Sequence, residues 1–454
     1  MTRAGGPGEA PGSVFSMLQR AFGDAEMAAV FSEAATVEAW LRTEAGLARA
    51  QAASGDLTSQ RADAIAAACR LENIDLPALW RETANVGYPI LPLVRQIDAA
   101  LPPSERGSVH YGATTQDIMD TGLSLQLAAA IERLVLLAAA LGDALAARAE
   151  AEAATVMAGR THGQQAVPTT LGAKLATYLW QCRDLLRDLL ELRPRVCVVS
   201  LHGAGGTSAG FGASANAVRA AVAGELGLAL PDGPWHVRRD GLAAFGAVCS
   251  RAAAVCARLA REVIDLSRTE IGEIGESAGH HRGASSTMPQ KANPIDSEAV
   301  VGMAASAAAT SGSLYRAIEA GHERAAGEWH IEWHAIPQVA ALTAGCLLIS
   351  ERIVSGMRVD PERMRANLDL EQGRTLAEGY MFQLAPQLGR EAAHDLVYEA
   401  ALASKARGIS LHEALLEIAD EPERVAELDP ADHVGQAREE ADAAVVAWRA
   451  EPRA

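Results

Sequence analysis

The chain has 454 residues, of which 49% are hydrophobic but only 4% aromatic, and its formal net charge is −17. A core built mainly of Ala, Leu and Val suits closely packed helices better than a sandwich or barrel, so we expect an all-α fold. The acidic surface argues against nucleic acid and anionic membranes as partners, and an anionic substrate would need a local group of positive charges.

The six cysteines are scattered and include no CxxC pair, which is typical of reduced, buried residues in a cytoplasmic protein. The polar, Gly- and Pro-containing start of the chain has no apolar signal core. Charged residues interrupt the long apolar stretches, so we expect that none of them forms a membrane span. These patterns predict a cytoplasmic helical protein.

The first part of the chain carries several modest helical patterns. VFSEAATVEAWLRTEAGLARAQAASG is one of them, and Gly55 is its predicted stop. The Pro-rich passage GYPILPLVRQIDAALPPSERG follows and is typical of a seam between domains. We therefore predict an N-terminal helical domain over residues 1–113.

The middle of the chain contains longer helical patterns. We expect five long helices there, because LSLQLAAAIERLVLLAAALGDALAARAEAEAATV runs without Pro and four comparable patterns follow it. Helices of this length bury their apolar stripes only against one another, which predicts an elongated five-helix bundle. The predicted patterns lie near residues 123–156, 167–193, 241–277, 294–320 and 336–357, and the bundle domain spans 114–357.

The last hundred residues restart with a marked helix signal. Asp360 is predicted as an N-cap with Pro361 at the first helical position, and SLHE at 410–413 has capping-box spacing. We predict a small C-terminal helical domain over residues 358–454.

The break GHHRGASSTMPQKANPIDSE, residues 279–298, has the composition of an anion-handling loop. Gly283 and Ala284 leave backbone amides accessible, and Pro289 prevents the preceding segment from being helical. Lys291 and Asn293 lie at the predicted start of a helix, where the macrodipole and free N–H groups favour an anion. A Ser in this setting loses its proton more readily than in water. An ordinary surface loop with turn residues is the alternative.

Two further breaks carry polar side chains. AGRTHGQQAVP presents His162 beside Gln164, which suits general acid–base chemistry, although a lone His is more often structural. HYGATTQD offers hydroxyl and polar groups suited to holding a carboxylate, although a Thr-Thr pair commonly just caps a helix. The candidates in this second break are His110, Thr114, Thr115 and Asp117.

A third polar segment, HERAAGEWHIEWH, places His330 and His334 four residues apart, a spacing that can hold zinc. Glu332 is at the wrong offset for an HExxH motif, and no third ligand is evident. We therefore expect a polar and aromatic helix start near a domain seam, and no metal site.

Taken together, these breaks resemble three separated regions of the fumarase/aspartase superfamily. The superfamily pattern GSSxMPxKxNPxxxE is similar to GASSTMPQKANPIDSE, with Ala284 at a position usually held by Gly. HYGATTQD resembles the HxGxTSxD region, GRTHGQQAVP resembles the second region, and GAGGT at 203–207 resembles a later Gly-rich turn. The similarity covers nearly the whole chain.

The resemblance implies a site and an assembly. It makes Ser285 the catalytic base, with His162 as the acid and Glu298 as the partner of that His. It also implies a homotetramer with a twenty-helix core, in which three subunits contribute to each active site. A small di- or tricarboxylate substrate and no cofactor are expected. The substrate-binding residues implied are Lys291, Asn293, Thr114, Thr115, Ser286, Gln164, Asp117 and His110.

Two activities stay open on the sequence. The first is a lyase that removes a proton next to a carboxylate and eliminates an amine-type group from a substituted succinate, releasing fumarate through an aci-carboxylate. The second is lactone chemistry, because NVGYPILPLV, ERAAGEWHIEW and LDPADHVG look most like 3-carboxy-cis,cis-muconate cycloisomerases. GRTHGQ is instead the form seen in adenylosuccinate lyase, fumarase and argininosuccinate lyase relatives. Adenylosuccinate lyases carry a His-Asp pair where this chain reads NVGYP, which argues against a purine nucleotide. An inactive structural homologue is the third, non-enzymatic alternative.

Overall fold

The computed structural model describes residues 16–280, 282–284, 287–288 and 291–453. Most of this part of the chain is helical, as the composition predicts. Its helices are α1 Met17–Phe22, α2 Ala25–Val30, α3 Glu33–Ser54, α4 Ser59–Ala68, α5 Leu76–Val86, α6 Ile90–Ala100, α7 Thr115–Ala151, α8 Leu171–Val196, α9 Ala215–Leu226, α10 Asp240–Leu266, α11 Ile295–Ala317, α12 Glu328–Ser355, α13 Pro361–Asp369, α14 Ala377–Leu388, α15 Arg390–Arg407, α16 Leu411–Ile418 and α17 Ala437–Arg449.

Four short strands interrupt the helices in the described part of the chain and were not predicted. They form two antiparallel two-stranded sheets, one after α7 and one in which β3 pairs with β4. The first sheet is a hairpin in which β1 begins with Val156 and β2 ends with Thr169 and Thr170, residues that favour strands. Because β2 occupies residues up to Thr170, α8 begins later than the sequence pattern indicated. The strands are β1 Val156–Thr161, β2 Gln164–Thr170, β3 Ile274–Gly275 and β4 Arg358–Val359.

The predicted helix boundaries with explicit capping residues are confirmed. Helix α3 ends at Gly55, whose φ of 84° is left-handed and therefore suits glycine. Asp360 accepts a hydrogen bond from the amide of Arg363 at the start of α13. Ser410 and Glu413 form a complete capping box on α16. Capping residues close in sequence therefore determine where these three helices begin or end.

The five predicted long helices are also confirmed, as α7, α8, α10, α11 and α12. The expectation that no stretch qualifies as a membrane span is wrong by length and composition. Helices α7, α10 and α12 each contain a window apolar enough to cross a membrane, although 61%, 50% and 67% of those windows is buried inside the protein. A helix enclosed by other helices is apolar around much of its circumference, which is the property a hydropathy window detects.

The chain divides into two compact units. The first contains the described residues up to Leu137 together with Leu185–Ala254 and Gly302–Leu348. The second contains Ala138–Asp184, the described residues of Val255–Val301, and those from Ile349 onward. The three-domain division predicted from the sequence stays a prediction.

The core of the first unit is built around α3. Trp40 and Leu47 of α3 belong to one buried cluster with Leu93 of α6 and Val222 of α9. Ile118, in the first turn of α7, belongs to the same cluster and is fully buried. This packing fixes the beginning of α7, which carries the HYGATTQD segment.

The second unit joins the ends of several long helices. Lys174 of α8 pairs with Glu262 of α10 at 2.6 Å, and the Cys182 thiol of α8 donates to the Ala138 carbonyl of α7 at 3.2 Å. A separate buried cluster, which includes Tyr380, links α14, α15 and α16.

Gly142 gives a test of helix packing in the second unit. A Cβ at this position of α7 would overlap the indole ring of Trp448, which is 1% exposed. We expect Gly142→Ala to lower the free energy of unfolding by about 1–3 kcal/mol in urea denaturation, because the ring has no free space to enter.

The matched control is Gly224→Ala on α9, where nothing lies within 4 Å of an added Cβ. That substitution should raise the free energy of unfolding by about 0.4–1 kcal/mol. Equal effects of the two substitutions would contradict the packing.

Candidate functional site

The buried carboxylate of Asp117 is the centre of the site region in the first unit. It lies in the first turn of α7, is fully buried, and accepts a hydrogen bond from the amide of Thr114 at 3.1 Å. It also accepts from the amides of His202 and Gly203, both at 2.9 Å. Its fourth partner is Nε2 of His236 at 2.8 Å. One side chain thus holds the HYGATTQD segment and the HGAGGT segment together.

The backbone of the HYGATTQD segment approaches the Gly210–Phe211 turn closely at Gly112. Its φ is 80°, and an added Cβ would lie 2.9 Å from the carbonyl oxygen of Gly210. His110, with a φ of 65°, takes the same left-handed conformation without being a glycine. The loop that carries Thr114 is therefore shaped by its neighbours as well as by its own sequence.

His110 is held by a second buried acid. Its Nδ1 lies 2.7 Å from Oε1 of Glu44, whose side chain is 1% exposed. Burial works to lower the pKa of His110, but the charge of Glu44 and its hydrogen bond outweigh burial and raise the pKa above 6.5. This pair favours an imidazolium next to the predicted carboxylate-binding hydroxyls.

Arg324 is a cation that the sequence analysis missed. Its Nη2 donates to Oγ1 of Thr114 at 2.9 Å, and Nε and Nη2 donate to the Ala204 carbonyl at 3.0 Å. Arg324 lies in the ERAAGEW segment, which was considered above only for its resemblance to cycloisomerases and not as part of a site. A signal was present, because a chain of charge −17 needs a local cation to attract an anionic substrate.

The second unit presents His162 at the tip of the β1–β2 hairpin. His162 and Gly163 have φ values of 51° and 78°, the left-handed pair that closes a two-residue hairpin. Arg160 anchors the hairpin through bonds of 2.9 and 2.5 Å to the fully buried carboxylate of Glu273. His162 is exposed at this tip, and Gln164, also exposed, begins β2.

The described ends of the 279–298 break are held together. The amide of Asn293 donates to the Gly283 carbonyl at 2.9 Å, and Ala284 forms a bridge with Ala292. Gly283 has a φ of 67°, and an added Cβ would overlap the Asn293 carbonyl. Ser285 and Ser286 lie outside the described residues. Exposed Lys291 and half-buried Asn293 lie just before α11, as predicted.

The expectation of free N–H groups at this helix start is corrected by the structure. Glu276 accepts hydrogen bonds from the amides of Asp296 and Ser297, at 3.3 and 2.8 Å, and from the Ser297 hydroxyl at 2.7 Å. Asp296 in turn pairs with Arg282 and Arg352. An internal carboxylate therefore occupies the amides of the first turn, because their partial positive charge attracts the nearest acid.

The predicted residues fall into two groups. His110, Thr114, Thr115 and Asp117 come together in the first unit. His162, Gln164, Lys291, Asn293 and Glu298 belong to the second. His162 and Glu298 are both exposed, and in the part of the chain the structure describes, no hydrogen bond within one chain joins them.

The segment with His330 and His334 forms the first turns of α12. The His330 ring lies 4.3 Å from that of Trp333, between ring centroids. Glu332 points to Arg239 instead, with Oε1 accepting from Nε at 2.7 Å. The segment is therefore an aromatic and polar helix start, as the sequence predicts.

The protein is thus a largely helical chain with polar loops at the ends of its long helices. Residues 22–308 match the model of a family described as lyase. The 3-carboxy-cis,cis-muconate cycloisomerase of Pseudomonas aeruginosa is 42% identical over 426 residues, covering 91% of this chain and 92% of that relative. The nitrosuccinate lyase of Streptomyces davaonensis is 38% identical over 402 residues, covering 85% and 84%.

A solved structure agrees with these relatives. The 3-carboxy-cis,cis-muconate lactonizing enzyme from Pseudomonas putida matches with a TM-score of 0.89 and 36% identity, covering 95% of this chain and 99% of that one. The chain belongs to the fumarase/aspartase superfamily of enzymes. The resemblance noted in the sequence is thereby confirmed.

The role of Asp117 can be tested by stability. Asp117→Asn keeps the size of the side chain but replaces one acceptor oxygen by a donor that faces backbone amides. We expect the free energy of unfolding to fall by about 3–5 kcal/mol in urea denaturation, the range for breaking a buried charged network.

Asp63→Asn on α4 is the control, since it makes the same charge change at an exposed position and should stay within about 0.5 kcal/mol of wild type. A similar small effect of Asp117→Asn would show that the carboxylate does not hold the two segments.

The His110–Glu44 pair predicts a pH dependence. The folded pKa of His110 is raised above 6.5, so the pair's stabilisation is complete below pH 6.5 and is lost as pH rises through the folded pKa. The wild type should therefore exceed Glu44→Gln in free energy of unfolding by more at pH 6 than at pH 9. Urea denaturation at both pH values measures this difference, and a larger difference at pH 9 would reverse the assignment.

Proposed function

We propose that the protein is a cycloisomerase of the 3-carboxy-cis,cis-muconate type. The observation that carries this proposal is the similarity to such an enzyme at 42% identity over nearly the full length of both chains. The solved lactonizing enzyme from Pseudomonas putida supports it with matching coverage and a TM-score of 0.89. The substrate of such an enzyme is a tricarboxylate, the anionic class that the cationic groups of the site suit.

The chemistry requires two coupled events. In lactonisation a substrate carboxylate oxygen adds to one carbon of a double bond, and the neighbouring carbon, next to another carboxylate, takes up a proton. The reverse reaction removes that proton and expels the internal carboxylate. The charge that develops on the retained carboxylate is the demanding feature, and fixed donors placed around it lower the barrier.

Hydrogen-bond donors and cations of the first unit suit the negative charge that develops on the retained carboxylate. Thr114 and Thr115 would hold a substrate carboxylate, and Arg324, already 2.9 Å from the Thr114 hydroxyl, would supply the positive charge. Glu44 favours the imidazolium form of His110, which adds a second positive charge to this part of the site. Asp117, which is fully buried and bonded to backbone amides, would position these groups and not touch the substrate.

The second unit would supply the proton-transfer groups. Ser285 is the proposed base, with Ser286 beside it and with Lys291 and Asn293 holding a further carboxylate. His162 is the proposed acid, and Gln164 a neighbouring substrate contact. Because His162 and Glu298 are both exposed and unbonded to each other within the described chain, we infer that they pair across subunits of a homotetramer with a twenty-helix core. We further propose that the enzyme is cytoplasmic.

Elimination from a substituted succinate, with release of fumarate, is the second candidate. It is supported by His162 at the exposed hairpin tip, since an acid at this position can protonate a leaving group. The nitrosuccinate lyase at 38% identity also favours it, because nitrosuccinate is a substituted succinate. Both candidates share removal or addition of a proton next to a carboxylate, and they differ in the group that leaves.

A substrate panel separates the two candidates. We expect the protein to remove the ultraviolet absorbance of 3-carboxy-cis,cis-muconate, because lactonisation shortens its conjugated system. Nitrosuccinate and amine adducts of succinate should release no fumarate above the uncatalysed rate. Fumarate release without loss of muconate would replace the cycloisomerase proposal by the second candidate.

The same assay tests the proposed base. Ser285→Ala should lower kcat by about 10²–10⁴-fold, the usual contribution of a positioned acid or base. Ser54→Ala, which removes a half-buried hydroxyl at the end of α3, is the control and should retain wild-type kcat. Wild-type turnover by Ser285→Ala would refute the assignment whichever substrate is used.

A further inference from the structure

An aromatic cavity in the first unit is lined mainly by residues of α3, α5, α7 and α12. Its volume is about 270 Å³, and four of the chain's seven tryptophans line it. An engineered apolar cavity of about 150 Å³ accepts benzene, so this one has room for an aromatic ring with a short side arm. The four tryptophans are Trp40, Trp80, Trp329 and Trp333.

The four indole rings form two T-shaped pairs around the cavity. Trp40 and Trp80 are T-shaped with ring centroids 6.3 Å apart, and Trp329 and Trp333 are T-shaped at 5.2 Å. Trp333 keeps 39% of its surface exposed, so the cavity is reached from solvent on this side. Faces of indole rings attract cations more strongly than those of Tyr or Phe.

The charge of the cavity wall is negative. Asp120 and Glu332 both line it, and both bind the single guanidinium of Arg239. All three side chains are 1% exposed or less, so two acids and one base leave an excess of one negative charge in the interior when both acids are ionised. Burial raises the pKa of Glu332, against the opposing effect of the Arg239 charge and hydrogen bond.

A third carboxylate, that of Glu33, contacts one of the tryptophans that line the cavity. Glu33 accepts a hydrogen bond from the indole N–H of Trp80, which increases the electron density of that ring. Among the described residues that line the cavity, none is a lysine, arginine or histidine. A tricarboxylate substrate would therefore be repelled here, and the cavity is distinct in chemistry from the proposed active site.

We propose that this cavity binds a small organic cation with an aromatic body, an arylalkylammonium ion. The ring would occupy the space between the indoles, and the ammonium would lie near Asp120 and Glu332, where it supplies the missing positive charge. Met119 and Asp120 lie within two turns of Thr115 on α7, so the cavity and the proposed carboxylate-binding segment both involve the start of this helix.

Isothermal titration calorimetry of the full chain with 2-phenylethylammonium chloride tests the proposal. We expect saturable binding at one site per chain. The neutral 2-phenylethanol should bind at least about tenfold more weakly, because it has the same ring but no charge. The anion 3-phenylpropionate should give no saturable heat. No saturable binding of the ammonium ion, or equal binding of the alcohol, would overturn the proposal.

Two variants locate the binding. Trp333→Leu should weaken binding about tenfold, whereas its control Trp180→Leu, at a half-buried tryptophan of the second unit, should leave it unchanged. Thr83→Phe should abolish binding by filling the cavity, and it costs little in the fold because the Thr83 hydroxyl bonds only to the Leu79 carbonyl of its own helix. Undiminished binding by Thr83→Phe would place the ligand elsewhere and refute the site.

Glu332→Gln tests the charge separately. Removing one carboxylate leaves the indoles and the volume of the cavity in place, and affinity for the ammonium ion should fall about tenfold while that for 2-phenylethanol is unchanged. Equal loss for both ligands would indicate a collapsed cavity and contradict the role of charge.

Discussion

The structure of the first unit depends on one buried carboxylate. Asp117 is fully buried. Its two oxygens accept hydrogen bonds from three backbone amides and one imidazole, which come from segments far apart in the chain. A buried charge is stable only when its hydrogen-bonding capacity is filled, so the segments that fill it cannot move away independently. Thr114 and the HGAGGT turn, where Arg324 is bound, are fixed as a consequence.

In the second unit, buried carboxylates also fix the backbone by accepting its hydrogen bonds, here at the start of α11. Glu276 occupies the first amides of α11, and Asp296 binds two arginines, so charges within the protein hold the base of the 279–298 break. Exposed Lys291 and half-buried Asn293 lie just ahead of α11, where we propose that they hold a substrate carboxylate. In both units buried acids do the positioning, and exposed polar groups are available for chemistry.

Opposite charge distinguishes the proposed active site from the tryptophan cavity. The proposed active site gathers Arg324, His110 and hydroxyl groups, which suit carboxylates. The tryptophan cavity combines indole faces with Asp120 and Glu332, whose charge exceeds that of Arg239. An acidic protein can thus attract an anion at one place and a cation at another, because local charge, and not the net value, determines which ligand a site accepts.

Sequence alone determined the helical class, the five long helices, the explicit caps at Gly55, Asp360 and Ser410, and the superfamily, because these depend on local periodicity and short motifs. The β1–β2 hairpin was missed, since its strands are short and their pairing is a contact between segments. The occupation of the α11 amides by Glu276 and the hydrogen bonds of Arg324 to Thr114 and Ala204 were missed for a related reason. Ion pairs and hydrogen bonds between distant residues leave no periodic trace, so only the tertiary structure decided them.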